Sequence, residues 1–217
     1  HMLQSTSAAR PLMSARVNLI TGSEDFTTGA NWGAGETTLA AGFVEGGVTF
    51  SKFVETVADS SHDRFAKIGL LSGVHYIYSA KFKAGERSIA TIRTWDATYT
   101  SDASNTTYFN LATQDIQLAS NGVTTAGIVS EGNGIFRCWV GITPNHNTAV
   151  GSPTFGMSTG LGTFTYVGDG VSGLYVGGAQ VEAADSLGVY QPVTTDADYD
   201  ATDFPIFQKY DGVDDGM

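Results

Sequence analysis

Two short stretches of the chain repeat an arginine and a tryptophan two positions apart: Arg93-Thr94-Trp95 and Arg137-Cys138-Trp139. On a β-strand, residues i and i+2 point to the same side. If the two strands are neighbours, this spacing builds a patch of two guanidinium groups and two indoles. Sugar rings present apolar C–H faces that stack on flat aromatics, and their hydroxyls pair with planar, multi-donor groups. The pattern therefore predicts a glycan platform, with Tyr99, Tyr108 and Asn110 as further contacts. A plainer reading has the tryptophans packed in the core or at an edge, with the arginines laid over them by cation–π contact.

Other chemistry finds less support. His62, His75 and His146 are isolated, and neither a His-x-x-x-His nor a Cys-x-x-Cys zinc spacing exists. Cys138 is the single cysteine, so it has no partner for an intrachain disulfide. Its apolar neighbours predict a buried, inert thiol. No serine sits in a Gly-x-Ser-x-Gly elbow. Glu45, Glu55, Glu131 and Asp169 could cleave a glycoside only if the fold held two of them about 5–10 Å apart. Gly168-Asp169-Gly170 and Gly177-Gly178 precede no helical pattern, so they read as turn or close-packing glycines rather than a phosphate loop. Asp196, Asp198, Asp200 and Asp203 lack the glycine and glutamate of an EF-hand loop. The expectation is a protein that is not an enzyme.

The elements that must position these side chains are strands. The chain has 217 residues, 41% of them apolar, with 26 threonines, 24 aromatics and only 15% charged side chains. That composition fits pleated, half-buried surfaces and is sufficient for a core. Strands are predicted at 47–57, 74–83, 87–95, 106–112, 116–118, 135–142 and 171–182. In 74–83, Tyr76, Tyr78, Ala80 and Phe82 share one face, and Ile77, Ser79, Lys81 and Lys83 the other. In 135–142, Phe136, Cys138, Val140 and Ile142 oppose Ile135, Arg137 and Trp139. Asn121-Gly122 and Gly132-Asn133-Gly134 suit tight reversals. Eight to ten short strands without intervening helices predict an all-β fold, a two-layer antiparallel β-sandwich of jelly-roll type.

Charge narrows the partners. The net charge is −11, and from Glu182 onward nine acidic residues face one basic residue, Lys209. Lys81, Lys83, Arg87 and Arg93 are scattered and form no basic stripe, so no nucleic-acid partner is expected. No run of about 18 apolar residues exists, which predicts no membrane-spanning helix. Residues 1–16 read as a cloning remnant and linker, with no signal-peptide layout visible. Residues 17–193 read as one module, and 194–217 as an acidic extended tail or the start of a neighbouring module.

Several stretches carry a resemblance. Asn18-Leu19-Ile20, then Ser23-Glu24-Asp25-Phe26 and Trp32, resembles the opening of a jelly-roll, carbohydrate-binding-module-like domain of tailed-phage and prophage virion proteins. The stretches 73–85, 134–138 and 168–190 are similar to that family's central, Gly-aromatic-aromatic-Arg-Cys and closing strands, with Ile135 departing from the usual aromatic. Ala9-Arg10-Pro11-Leu12 and the 204–215 region resemble segments bordering laminin-G-like sandwiches in such proteins. The resemblance implies a tail or fibre module on the virion that adheres to host surface polysaccharide. It also implies neighbouring virion subunits as partners, a homotrimer among the assemblies. A purely structural decoration or spacer domain is the alternative, and a polysaccharide-degrading enzyme ranks below both. No cofactor is required. Related modules hold a structural Ca²⁺, and here the first and last strands of a jelly roll would bring Glu24, Asp25, Gln180 and Glu182 together as hard oxygen ligands.

Overall fold

A computed structural model of the chain describes residues 17–95, 105–145 and 147–198, with the backbone alone at 95 and 148–152. Fifteen strands follow one another, with no α-helix among the described residues. They are β1 (Trp32–Ala34), β2 (Thr37–Glu45), β3 (Val48–Glu55), β4 (Asp59–Ser60), β5 (His62–Ala66), β6 (Ile68–Leu70), β7 (Tyr76–Ala84), β8 (Ile89–Trp95), β9 (Thr106–Asn110), β10 (Ile116–Gln117), β11 (Val123–Gly132), β12 (Ile135–Ile142), β13 (Thr148–Ser158), β14 (Tyr166–Val167) and β15 (Gly173–Ala183).

One sheet runs β11-β12-β7-β15-β3-β2 and the other β1-β5-β13-β8-β9-β10, with β6 also on β13 and every pairing antiparallel. Strands close in sequence pass between the two sheets, as β3 and β5 or β12 and β13 do. That interleaving, β3-β15-β7-β12 over β5-β13-β8-β9, is the jelly-roll arrangement the sequence predicts.

The core lies where the inward faces meet. Strand β7 contributes Tyr76, Tyr78, Ala80 and Phe82, β12 contributes Cys138, Val140 and Ile142, and Ala90, Ile92, Phe109, Phe155 and Met157 face them from the other sheet. Each fully buried large apolar side chain stabilises the fold by about 1.5–3 kcal/mol. Phe26 packs edge-on against both Trp32 and Phe53, closing one end of the sandwich. Asn133 and Gly134 take φ of 51° and 75°, making the tight β11–β12 turn that their sequence announces.

Several strands carry little sequence signal. Strand β13 contains Pro153, which removes a ladder donor. It is tolerated because Pro153 falls between the β6 pairing at Gly151 and the β5 pairing at Thr154. Strand β5 buries His62, Asp63 and Arg64, a composition that reads as a loop. The Arg64 guanidinium donates from Nη1 and Nη2 to the Phe26 and Thr37 carbonyls at 2.8 and 3.0 Å, while its Nε is buried without a hydrogen bond.

The segment 17–23 threads between β15 and residues 191–193. Leu19 N donates to Val181 O and Ala179 N to Ser23 O, antiparallel to β15. On the other side the Asn18 amide donates to Gln191 O, and Ser23 N donates to Val193 O.

Candidate functional site

The two Arg-x-Trp stretches lie in different sheets: Arg93 on β8 of one, Arg137 on β12 of the other. On each strand the alternate residues Ala90 and Ile92, or Cys138 and Val140, fill the shared core. Both arginines therefore face outward, on opposite sides of the molecule, and the single platform expected from neighbouring strands does not form. Tyr99 lies outside the described residues, as do His146 and the side chain of Trp95.

The Arg93 side is closed. Arg93 Nη2 lies 2.7 Å from Asp63 Oδ2, both groups are buried, and the Phe164 ring covers the guanidinium at 5.3 Å. Thr91, Thr106 and Tyr108 complete a cavity of about 10 Å³, room for roughly one water. The Tyr108 hydroxyl is buried there without a hydrogen bond of ordinary geometry. Burial pushes the Asp63 carboxyl up, against the pull of Arg93. Asn110 is occupied too: its Oδ1 accepts from Ala112 N at 3.0 Å and Thr113 N at 3.3 Å, capping the turn after β9.

The Arg137 side carries an open trough, although Arg137 itself is as buried as Arg93. Register places Trp139 beside Gly127 of the edge strand β11 and Ser79 of β7. A Cβ at position 127 would meet the indole at 2.5–2.8 Å through Nε1, Cε2 and Cζ2, so the ring packs directly against the bare glycine. Trp139 is half-buried, which leaves ring surface to solvent. Two positions along the same face, Arg137 donates from Nη2 to Ser79 Oγ at 3.0 Å and from Nη1 to Gly188 O at 2.6 Å. Burial lowers its pKa, against the nearby charges of Glu182 and Glu131.

Gly188 belongs to a strap, residues 184–193, that returns across this outer face. Gly188 N donates to Glu182 Oε1 and Gln191 N to Gln180 Oε1, both at 2.8 Å. The Tyr190 hydroxyl lies 3.0 Å from Glu24 Oε1 and 2.7 Å from Ser23 Oγ. Between the strap and the β2–β3 turn lies a trough of about 530 Å³, lined by Lys81, Glu131, Arg137, Leu187, Val189 and Tyr190 among others. Lys81 Nζ sits 2.7 Å from Glu131 Oε2 and 5.5 Å from the Tyr190 ring centre.

The four expected calcium ligands have other duties. Glu24 accepts from Thr49 N and Tyr190, Asp25 caps Thr27 N, and Gln180 and Glu182 hold the strap. Among the described residues no group of three or more His, Cys, Asp or Glu comes together.

Of the four carboxylates considered for hydrolysis, Glu55 and Asp169 do meet, joined by Asp169 N donating to Glu55 Oε1 at 2.9 Å. Burial would raise the Glu55 pKa, but Arg87, Asp169 N and the Tyr166 hydroxyl outweigh it and hold the carboxyl below its ordinary value. The Ser172 hydroxyl and the N–H groups of Ser172 and Val171 hold Asp169 lower still. Two ionised carboxylates tied by Arg87 form a clamp; neither carries the proton a glycosidase acid must give. Glu45 and Glu131 are engaged by Lys83 and Lys81. Cys138 is fully buried, and burial pushes its thiol well up.

No family model matches the sequence, and comparison with curated proteins finds no match. Lys81, Tyr190, Gly127 and the strap escaped the sequence reading as site residues. Only a lone glycine within an alternating stretch hinted at Gly127.

Proposed function

We propose that this chain is a non-catalytic adhesion module of a tailed-phage virion that binds host surface polysaccharide weakly, through the outer face of the β11-β12-β7-β15-β3-β2 sheet. The observation that carries this reading is Trp139, packed against Gly127 and only half-buried, two positions from Arg137 on the same face. An indole held rigidly in a sheet loses little entropy when a sugar face stacks on it. A shallow, open site binds weakly, and copies arrayed on one particle gain about 10²–10⁴ in avidity where geometry allows.

The test is binding of the intact chain to a glycan array, with Trp139→Ala beside wild type. Loss of signal with an unchanged melting temperature supports adhesion; retained signal, or no glycan bound by wild type, overturns it. A spacer role has one observation in its favour: the outer strands β2 and β11 are long, nine and ten residues, with mostly exposed or half-exposed side chains. Such edges offer unpaired backbone to a neighbouring subunit. A stable trimer by light scattering together with an unresponsive glycan array would favour that role.

A further inference from the structure

We infer that the trough beside Arg137 is a subsite for a neutral hexose, recognised through two adjacent hydroxyls by the Lys81–Glu131 pair. This rests on the glycan-binding reading of the same face and names its ligand class.

Charge decides the class. Two cations line the trough, and each already has carboxylate company: Lys81 at 2.7 Å from Glu131, Arg137 in the field of Glu182 and Glu131. Lys83 beyond them faces Glu45 at 3.7 Å. A uronate or sialate carboxyl placed here would be the excess negative charge in a locally balanced site. It would also approach a chain of net charge −11.

Geometry then fits a diol. An ammonium only donates and a carboxylate only accepts. Neighbouring sugar hydroxyls can each do both, so one accepts from Lys81 Nζ while the next donates to Glu131. The opposite wall is apolar, made of Leu187, the 88%-exposed Val189 and the Tyr190 ring. That wall suits the C–H face of the same ring. The Tyr190 hydroxyl, tied to Glu24 and Ser23, and the Arg137–Gly188 bond keep the wall in place before any ligand arrives. Preformed sites of this kind avoid an ordering cost on binding. Arg137 stands two strand positions, about 7 Å, from Trp139, so one sugar in the trough and the next on the indole would span a disaccharide step.

The experiment uses the intact chain against immobilised neutral polysaccharides (dextran, mannan, galactan) and polyuronates (alginate, polygalacturonate), at low and high salt. The variants are Lys81→Met, Glu131→Gln and Trp139→Ala, each checked by thermal melting. Binding to a neutral polymer that persists at high salt, and falls about tenfold in both Lys81→Met and Glu131→Gln, is the expected result. Binding confined to polyuronates, or lost as salt rises, overturns the neutral-sugar assignment while leaving adhesion intact. So does a Trp139-dependent signal that neither trough variant alters. Silence against every polymer, neutral or acidic, overturns the adhesion reading itself.

Discussion

Arg93 and Arg137 share a sequence spacing, a strand context, an outward direction and burial, at 8% and 5% exposure, yet their surroundings differ. Arg93 is locked to Asp63 under Phe164, in a cavity of about 10 Å³. Arg137 borders a trough of about 530 Å³ and steadies one wall of it. The difference lies in what crosses each sheet from elsewhere in the chain. Residues 159–165 bring Phe164 down over one arginine, whereas the 184–193 strap touches the other through the Gly188 carbonyl and leaves a trough beside it. A local motif sets which side of a sheet a side chain occupies; remote segments decide how much open space is left beside it.

The contrast can be broken from either side. The largest effect is expected from Asp63→Ala, which leaves Arg93 buried without its carboxylate and costs about 3–5 kcal/mol in denaturant unfolding. A loss below about 1 kcal/mol would mean the closed side is wetter than its geometry implies. Next comes Gly127→Val on the open side. Its Cβ would overlap the indole, so stability drops by about 1–3 kcal/mol and Trp139 fluorescence shifts.

A third, smaller effect is acid sensitivity from the Glu55 clamp. Its folded pKa is depressed, so its stabilisation is complete above the unfolded carboxylate value of about 4.3 and is lost as pH falls through the folded value. Melting temperature should decline between roughly pH 5 and 3, and Glu55→Gln should flatten that decline while lowering the plateau. The smallest effect belongs to Glu86→Gln, which removes the surface pair with Lys52 and should change stability by no more than about 0.5 kcal/mol. A larger change there would show that rim charges matter more than the contrast between the two faces allows.

How much of this was legible in sequence follows from the same division. Alternation in 74–83 and 135–142 grouped Tyr76, Tyr78, Ala80 and Phe82, and Phe136, Cys138, Val140 and Ile142, on the faces that meet the core, although Ile77 and Ser79 on the opposite face are buried as well. The jelly roll followed from many such strands without helices between them. Strands β5, β11 and β13 were missed for separate physical reasons. Strand β5 buries a polar network in place of apolar side chains. Strand β11 is an edge whose outward residues stay in water. Strand β13 holds a proline at a gap between two partners. The site was only half legible: Arg137 and Trp139 share a face as their spacing requires, but no pattern in the sequence tells that β8 belongs to the other sheet. Nor could it tell that Gln180 and Glu182 fasten the strap.

The way segment 17–23 lies against residues 191–193 has a mechanical consequence. Asn18 pairs with Gln191 and Ser23 with Val193, so the two segments run in the same direction. A pull on the two ends of the sandwich drags these segments lengthwise past each other. The bonds at Asn18 and Ser23 then bear the load together, in shear, instead of opening singly as in a peeled hairpin. Rupture under force is a matter of rate, and this arrangement slows it at the point where tension enters the fold.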